Sequence, residues 1–310
     1  MLVSIPKSKD KALSERSVIS HSKSTVCLAG FVAVSLLLAI GPASHLASFA
    51  YHTGEQSYIL LVPAVCAALI YYSRDRILTK SEAGFSLRSL LWLTPGLVLL
   101  LLGYLLESGS ELQLVTTAIG FILFWVAAFR ACFGPKSLRA AAFELGMLVW
   151  IIPIPQPAID WITVTLQRQS ADVVDWLFAL CRVPVFRSGF IFTLPGQSIE
   201  VAKQCSGIRS TLSLLFLTLI LAHESLRGNW RRFVLVLCAL PIVVLKNGVR
   251  IVTLTLLAIY VDPSFLTGSL HHDGGIVFFL LGLVLLMPII ALLRRGEPKP
   301  PMAQAAVGQD

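Results

Sequence analysis

Apolar runs of membrane-spanning length are the feature that most constrains this chain. Eight of them are long enough to cross about 30 Å of hydrocarbon, at 26–44, 57–73, 89–106, 113–130, 140–156, 206–223, 233–257 and 274–293. The second and fifth are short or interrupted by proline, so counts of seven or nine are also compatible with the sequence. With 56% hydrophobic and 14% charged residues, a soluble domain could not bury this much apolar surface. The sequence therefore predicts an all-α polytopic membrane protein of about eight transmembrane helices.

Basic residues between the apolar runs predict the orientation. Lysine and arginine are frequent before the first run, in the alternate loops 74–88, 130–139 and 224–232, and after the last run. Loops 45–56, 107–112 and 258–273 contain neither residue. Because basic loops stay in the cytoplasm, we expect both termini there, and this distribution favours a lipid bilayer over nucleic acid as partner. The predicted organisation is a basic arm at 1–25, one transmembrane domain at 26–293 and a disordered cytoplasmic tail at 294–310.

The extracytoplasmic insertion 157–204 differs from the lipid-facing runs. It opens with an amphipathic stretch from Asp160 to Cys181, which we expect to be interrupted by the polar run 167–170 and to lie at the interface or against the bundle. Two runs of β-type alternation follow between Phe190 and Ala202, around a Pro195-Gly196 turn. They predict a small β-hairpin on the outer membrane surface.

Cys205 opens a Cys-Ser-Gly-Ile-Arg-Ser motif (205–210) at the outer end of the sixth run. If the helix begins near Ser206, its unpaired N–H groups and dipole would stabilise a thiolate. Arg209, four residues on, would then share the helix face and add positive potential. A lone cysteine is more often a small buried residue, and the flanking residues leave these two interpretations about equal.

Arg250 ends an Asn-Gly-Val-Arg motif (247–250) within the seventh run. Counting from Phe233 places it about 26 Å from the cytoplasmic end, near the outer leaflet and at the depth of Cys205. The alternative is an interfacial arginine that extends its head group to water. Lys246, one turn deeper, could be a structural counter-charge.

His271 begins a His-His-Asp-Gly-Gly sequence at the outer end of the eighth run. A histidine can accept a thiol proton or protonate a leaving amine, although a solvated loop histidine is the alternative. Neither a metal nor another cofactor is predicted, because ligands at adjacent positions, as in His-His-Asp, usually diverge, no HxxxH pattern accompanies them and the six cysteines show no CxxC spacing. Together, Cys205, Arg250 and His271 would supply a thiolate nucleophile, an anion clamp and an acid/base on one side of the membrane.

The chain resembles the exosortase/archaeosortase family of membrane cysteine transpeptidases from about residue 103 to 286. The motifs that carry the resemblance are Ile-Pro-Ile-Pro (152–155), Leu-Gln (166–167), Leu-Pro-Gly (194–196), Cys-Ser-Gly-Ile-Arg-Ser (205–210), Asn-x-x-Arg-Ile (247–251) and His-x-x-x-Gly (271–275). The resemblance implies that Cys205 is the nucleophile, Arg250 the essential arginine and His271 the acid/base, with His272 the alternate. The supporting residues would be Ser206, Arg209, Asn247 and Gly275.

The resemblance also implies what the protein acts on. Its clients would be secreted proteins whose C-terminal tag has a PEP-like motif, a hydrophobic span and a basic cluster. The tag would be cleaved through a Cys205 thioester on the periplasmic side of a bacterial inner membrane, and an unknown acceptor in the membrane or envelope, or water, would resolve the thioester. Alternatives are a transporter or a non-catalytic membrane component of extracellular polysaccharide assembly, and an intramembrane protease that only hydrolyses.

Overall fold

The computed structural model describes residues 7–81, 87–194, 197–201, 207–266 and 275–296. The chain forms two compact units, Met1–Pro155 and Gln156–Asp310. Each unit is built almost entirely from helices, and the three described strands belong to the second.

The first unit contains eight described α-helices. They are α1 (Lys7–Leu38), α2 (Ile40–His52), α3 (Val62–Tyr72), α4 (Arg74–Leu78), α5 (Leu87–Leu90), α6 (Thr94–Leu102), α7 (Glu111–Ala140) and α8 (Ala142–Gly146), with 3₁₀-helices at Ser57–Leu60, Leu91–Leu93 and Met147–Ile151. The Ser110 side chain caps α7 by accepting from the backbone N–H of Gln113. The core of this unit is formed where α6 and α7 pack together, around Leu100, Phe121 and Phe124.

A buried carboxylate ties α4 to α8 in this unit. Glu144 is fully buried, and its Oε1 accepts a hydrogen bond from the half-exposed Arg76 guanidinium. The Ser137 hydroxyl donates to the Ile77 carbonyl at 3.0 Å, and the Ser81 hydroxyl to the Phe133 carbonyl at 3.4 Å. These contacts fix α4 and the residues after it against the end of α7.

The second unit places a small sheet among long helices. Its elements are α9 (Gln156–Leu180), β1 (Phe186–Ser188), β2 (Ile191–Leu194), β3 (Gln197–Glu200), α10 (Ile208–Ser225), α11 (Asn229–Tyr260), a 3₁₀-helix at Pro263–Leu266 and α12 (Gly275–Arg295). The strands are antiparallel in the order β1-β2-β3, with Phe192 opposite both Arg187 and Ile199. Phe192 is buried with Phe178 of α9 and Val252 of α11, so the sheet packs on these two helices.

The predicted hairpin is confirmed as β2 and β3, although its Pro195-Gly196 turn lies outside the described residues. β1 was not predicted, because three residues are too few to show an alternating pattern.

The expected interruption of the amphipathic stretch is wrong, because α9 is continuous from Gln156 to Leu180. Thr163, Gln167 and Ser170 are buried and recur at helical spacing on one face. The Gln167 amide donates to the Val201 carbonyl, and the Ser170 hydroxyl accepts from Asn247. Gln167 and Ser170 therefore have buried hydrogen-bonding partners while Arg168 and Gln169 are exposed, so the polar run has no reason to break the helix.

The predicted count of eight spans is not confirmed. Among the described residues, three helices are long and apolar enough to cross a membrane: α7, α11 and α12. The number rises to five if each of two broken pairs is one span, namely Lys23–Leu38 with Ile40–His52, which meet at 87°, and Ala142–Ile151 with Gln156–Leu180.

Two apolar runs give short helices for a local reason. Pro63 and Pro95 stand in the first turns of α3 and α6, where proline is favoured because it has no N–H to donate. New helices therefore begin inside the runs 57–73 and 89–106. The 11 residues of α3 cover only about 16 Å at 1.5 Å per residue. The protein is a membrane protein in which some apolar runs are divided into short helices, whereas hydropathy predicts one long helix for each run.

Candidate functional site

Helices α10 and α11 form an antiparallel hairpin that brings two sequence motifs together. The connection, 226–228, is short, and Arg232 of α11 fixes it: its Nε donates to the Leu226 carbonyl at 2.8 Å and its Nη2 to the His223 carbonyl at 3.2 Å. Gly207 and Asn247 are separated from this connection by nearly equal lengths of helix. They consequently lie side by side.

Gly207 adopts a conformation that glycine favours and meets a neighbour that leaves no room for a side chain. Its φ is +75° and its ψ +15°, in the left-handed region. A Cβ at this position would lie 2.8 Å from Oδ1 of Asn247. The Gly207 carbonyl accepts from the Ser210 hydroxyl and from both the hydroxyl and the N–H of Thr211, each at 2.9 Å. Gly207 and the first turn of α10, 208–211, which we call the Gly207 turn, are thus held by hydrogen bonds within α10 and by the contact with Asn247.

Asn247 connects this turn to α9. Its side chain is 2% exposed, and its Nδ2 donates to the Ser170 hydroxyl at 2.9 Å. The next residue, Gly248, makes the close approach of the helices possible, since a Cβ there would lie 2.4 Å from Cγ1 of Val173. The Asn-Gly pair of the Asn-Gly-Val-Arg motif therefore sets the packing of α11 against both α9 and α10.

Lys246 lies where α10, α11 and α12 meet. Its side chain is 2% exposed, and its Nζ donates to the Ser210 hydroxyl at 2.6 Å. Gly282 of α12 leaves space for the lysine stem: a Cβ on this glycine would lie 3.1 Å from Cδ of Lys246 and 3.0 Å from Cδ2 of Leu214. No carboxylate of the described residues is within ion-pair distance of Lys246.

Arg250 lies one helical turn beyond Lys246 and Asn247. Residues separated by three or four positions share a helix face, so the half-buried Arg250 follows both on α11. Arg209 is exposed in the first turn of α10. Arg209 and Arg250 thus belong to the two helices that meet at Gly207 and Asn247, and their predicted role in stabilising an oxyanion or a carboxylate stays a prediction.

The described helix α10 begins at Ile208, two positions after Ser206. The expected shared face of Cys205 and Arg209 stays a prediction, because Cys205 lies outside the described residues. Gly275 is the first residue of α12, and a Cβ there would meet nothing within 4 Å, so the described residues give no steric reason for this glycine.

The remaining predicted site residues, Cys205, Ser206, His271 and His272, lie outside the described residues. The convergence of Cys205, Arg250 and His271 therefore stays a prediction. The structure describes the residues that follow them in the chain: Gly207 follows Cys205 by two positions, and Gly275 begins α12 after the two histidines. The described ranges contain no group of three His, Cys, Asp or Glu side chains that could hold a metal ion.

Two contacts of this region were not predicted from the sequence, Ser210 with Lys246 and Ser170 with Asn247. The sequence does contain a signal for the contact of Ser170 with Asn247. Thr163, Gln167 and Ser170 follow helical spacing, which indicates one polar face that needs a partner. No comparable pattern identifies Ser210, because a serine in a first helical turn is common.

Comparison with known proteins identifies the family. Residues 47–288, well over half of the chain, match the model of a family described as transmembrane exosortase. No curated protein and no solved structure matches the chain significantly. The matched range contains both motifs that meet at Gly207 and Asn247 and every predicted site residue. The chain belongs to the transmembrane exosortase family.

Proposed function

We propose that the protein is a membrane cysteine transpeptidase or protease that cleaves the C-terminal sorting tag of secreted proteins on the extracytoplasmic face. The observation that carries this proposal is the contact between Gly207 and Asn247. It joins the Cys-Ser-Gly-Ile-Arg-Ser motif to the Asn-Gly-Val-Arg motif, so the two motifs that carry the candidate nucleophile and the candidate arginine meet at these two residues.

The reaction begins when the Cys205 thiolate attacks the carbonyl carbon of the scissile peptide bond. Arg250 stabilises the negative charge that develops on the carbonyl oxygen. His271 donates a proton to the nitrogen as the C–N bond breaks, so the tag leaves as an amine and the client remains as a thioester. An acceptor nucleophile or water then attacks the thioester, passes its proton to His271 and releases the thiolate.

The position of α10 supports a thiolate at Cys205. The helix has 18 residues and starts three positions after the cysteine. The first N–H groups of a helix have no intrahelical acceptor and carry partial positive charge, which lowers the pKa of a nearby thiol. Arg209 in the first turn adds to this potential.

The clients follow from the family. A tag with a PEP-like motif, a hydrophobic span and a basic cluster would cross the same inner membrane, with the motif outside and the basic cluster in the cytoplasm. The acceptor would be a nucleophile of the membrane or envelope.

The test is processing of a tagged client in cells that carry single variants at equal membrane abundance. We expect Cys205→Ala, Arg250→Ala and His271→Ala to accumulate the uncleaved client, while His272→Ala cleaves it. Matched controls are Cys181→Ala and Arg187→Ala, which replace an exposed cysteine and a partly exposed arginine of the same unit; both should process the client normally.

The alternative functions give a different result. A transporter or a non-catalytic component of polysaccharide assembly has no need of the thiol, so full processing by Cys205→Ala would reject the proposal. Mass spectrometry of the product separates transfer from hydrolysis, because only transfer leaves the acceptor attached to the new C-terminus.

A further inference from the structure

The second buried polar contact of α11 has no role in the mechanism above. Lys246 is almost completely buried in an apolar helix, and a lysine at such a position is unfavourable compared with an apolar residue. Its described polar partner, Ser210, is neutral and compensates only in part for lost hydration. A leucine or methionine would fill the same space at a lower free-energy cost. Packing among the described residues therefore does not explain why this position is a lysine.

A chain of two hydrogen bonds leads from Lys246 to the backbone carbonyl of Gly207. The Lys246 amine donates to the Ser210 hydroxyl at 2.6 Å, and the Ser210 hydroxyl donates to the Gly207 carbonyl at 2.9 Å. Each group uses its donor and acceptor capacity consistently, since a serine hydroxyl can accept from the amine and donate its single proton onward. The chain ends at the carbonyl of a residue two positions after Cys205.

The two consecutive residues of α11 hold this turn in different ways. Asn247 contacts Gly207 at its Cα and limits the turn sterically. Lys246 acts on the Gly207 carbonyl through Ser210, in addition to the two bonds that this carbonyl accepts from Thr211. The lysine stem and Leu214 of α10 both lie against Gly282 of α12. The amine is therefore a fixed point against which the turn is oriented.

We propose that Lys246, acting through Ser210, is a positioning residue that orients the Gly207 turn and so presents the Cys205 thiol for attack. This inference rests on the proposed function for its catalytic meaning. Its structural content, that Lys246 controls the presentation of Cys205, is measurable without cleavage.

The experiment compares Lys246→Met, Ser210→Ala and the double variant in the full-length protein. Client cleavage, membrane abundance, thermal stability in detergent and the alkylation rate of Cys205 by a maleimide are measured. Alkylation uses a background in which the other five cysteines are alanine and cleavage is retained. Thr218→Ala is the matched control, because it removes another buried hydroxyl of α10, one that donates to the Leu214 carbonyl at 2.7 Å.

We expect Lys246→Met to slow both cleavage and alkylation roughly tenfold or more, as small displacements of reacting groups do. The double variant removes both polar partners and should recover abundance and thermal stability, but neither cleavage nor alkylation rate. Thr218→Ala should change stability only. Wild-type cleavage and alkylation by Lys246→Met, or by the double variant, would overturn the inference and make the lysine a purely structural partner of Ser210.

A rescue experiment keeps the inference testable if Lys246→Met fails to accumulate. Lys246→Ala leaves a space that a small primary amine can occupy, so methylamine or ethylamine should restore alkylation and cleavage in a concentration-dependent manner, and an isosteric alcohol should not. Absence of amine rescue in a folded Lys246→Ala protein contradicts the inference. Failure of the proposed function is distinguishable, because there Cys205→Ala itself still cleaves the client whatever the Lys246 variants do.

Discussion

Gly207 and Asn247 are in contact at a distance that admits no side chain on the glycine: a Cβ on Gly207 would lie 2.8 Å from the asparagine Oδ1. The two residues are forty positions apart in the sequence and belong to two of the motifs that carry the family resemblance. The start of α10 is therefore located by α11, and the predicted chemistry at Cys205 depends on that contact.

Replacing Gly207 with alanine should abolish client processing. The substitution adds a left-handed strain of about 1 kcal/mol and forces the Asn247 amide to move, so the turn before α10 is displaced. The control is Gly189→Ala. Gly189 has a similar φ of +64° with nothing within 4 Å of its Cβ position. The Gly189→Ala variant should therefore lose only the free energy of the left-handed conformation and should still process the client. Equal processing by both variants would show that the contact with Asn247 is unimportant.

The hydrogen bond between Asn247 and Ser170 should be measurable as a coupling. Asn247→Ala and Ser170→Ala each remove one side of this hydrogen bond, and the double variant removes both sides. We expect a coupling free energy of about 1 kcal/mol from a double-mutant cycle of unfolding in detergent. Additive effects of the two changes would mean that the bond contributes nothing to folding.

Gly248→Ala should loosen the packing of α11 on α9. Its Cβ would lie 2.4 Å from Cγ1 of Val173, and overpacking of this kind costs about 1–3 kcal/mol. Adding Val173→Ala removes the clashing methyl group and should restore part of the thermal stability. Gly146→Ala, at a helical glycine with open space, should not destabilise the protein. If Val173→Ala does not restore stability to Gly248→Ala, the destabilisation arises from a contact other than the one with Val173.

In the first unit, Arg76→Ala should destabilise the fold by about 2 kcal/mol, because it leaves the buried Glu144 carboxylate without its guanidinium. The half-exposed position of Arg76 keeps this below the value for a fully buried pair. Arg74→Ala is the comparison: Arg74 lies 3.8 Å from an Asp75 that is 96% exposed, and such pairs contribute little. Thermal unfolding of both variants checks the difference, and similar midpoints would contradict it.

Local sequence signals predicted the elements better than their partners. The hairpin of β2 and β3 follows from alternation around Pro195-Gly196, and the long apolar run around Arg250 follows from composition alone. The contact of Gly207 with Asn247 was beyond such signals, because nothing local records which residue of another helix stands opposite a glycine. The span count was not confirmed for a related reason: Pro63 and Pro95 start helices inside apolar runs, and hydropathy averages over these starts.

The candidate site was predicted by motif more than by geometry. Arg250 was selected from its depth in the seventh run and Asn247 from the Asn-x-x-Arg-Ile motif, and the structure shows that Asn247 contacts Gly207 and Ser170. Lys246 was interpreted only as a possible counter-charge, since its partner is a serine whose role depends on the register of two helices. Register is a tertiary property, and a single sequence contains no direct measure of it.

Because the connection between α10 and α11 is short, the lengths of the two helices determine which of their residues lie opposite each other. Adding one residue to α11 between Asn229 and Lys246 would rotate everything beyond it by about 100° and shift it by about 1.5 Å, so Lys246, Asn247 and Arg250 would all face away from the Gly207 turn. The same residue added within 226–228 would lengthen the connection without changing the register of the two helices. Insertions and deletions should accordingly be tolerated in the connection and excluded from both helices, which makes helix length itself an inherited part of the candidate site.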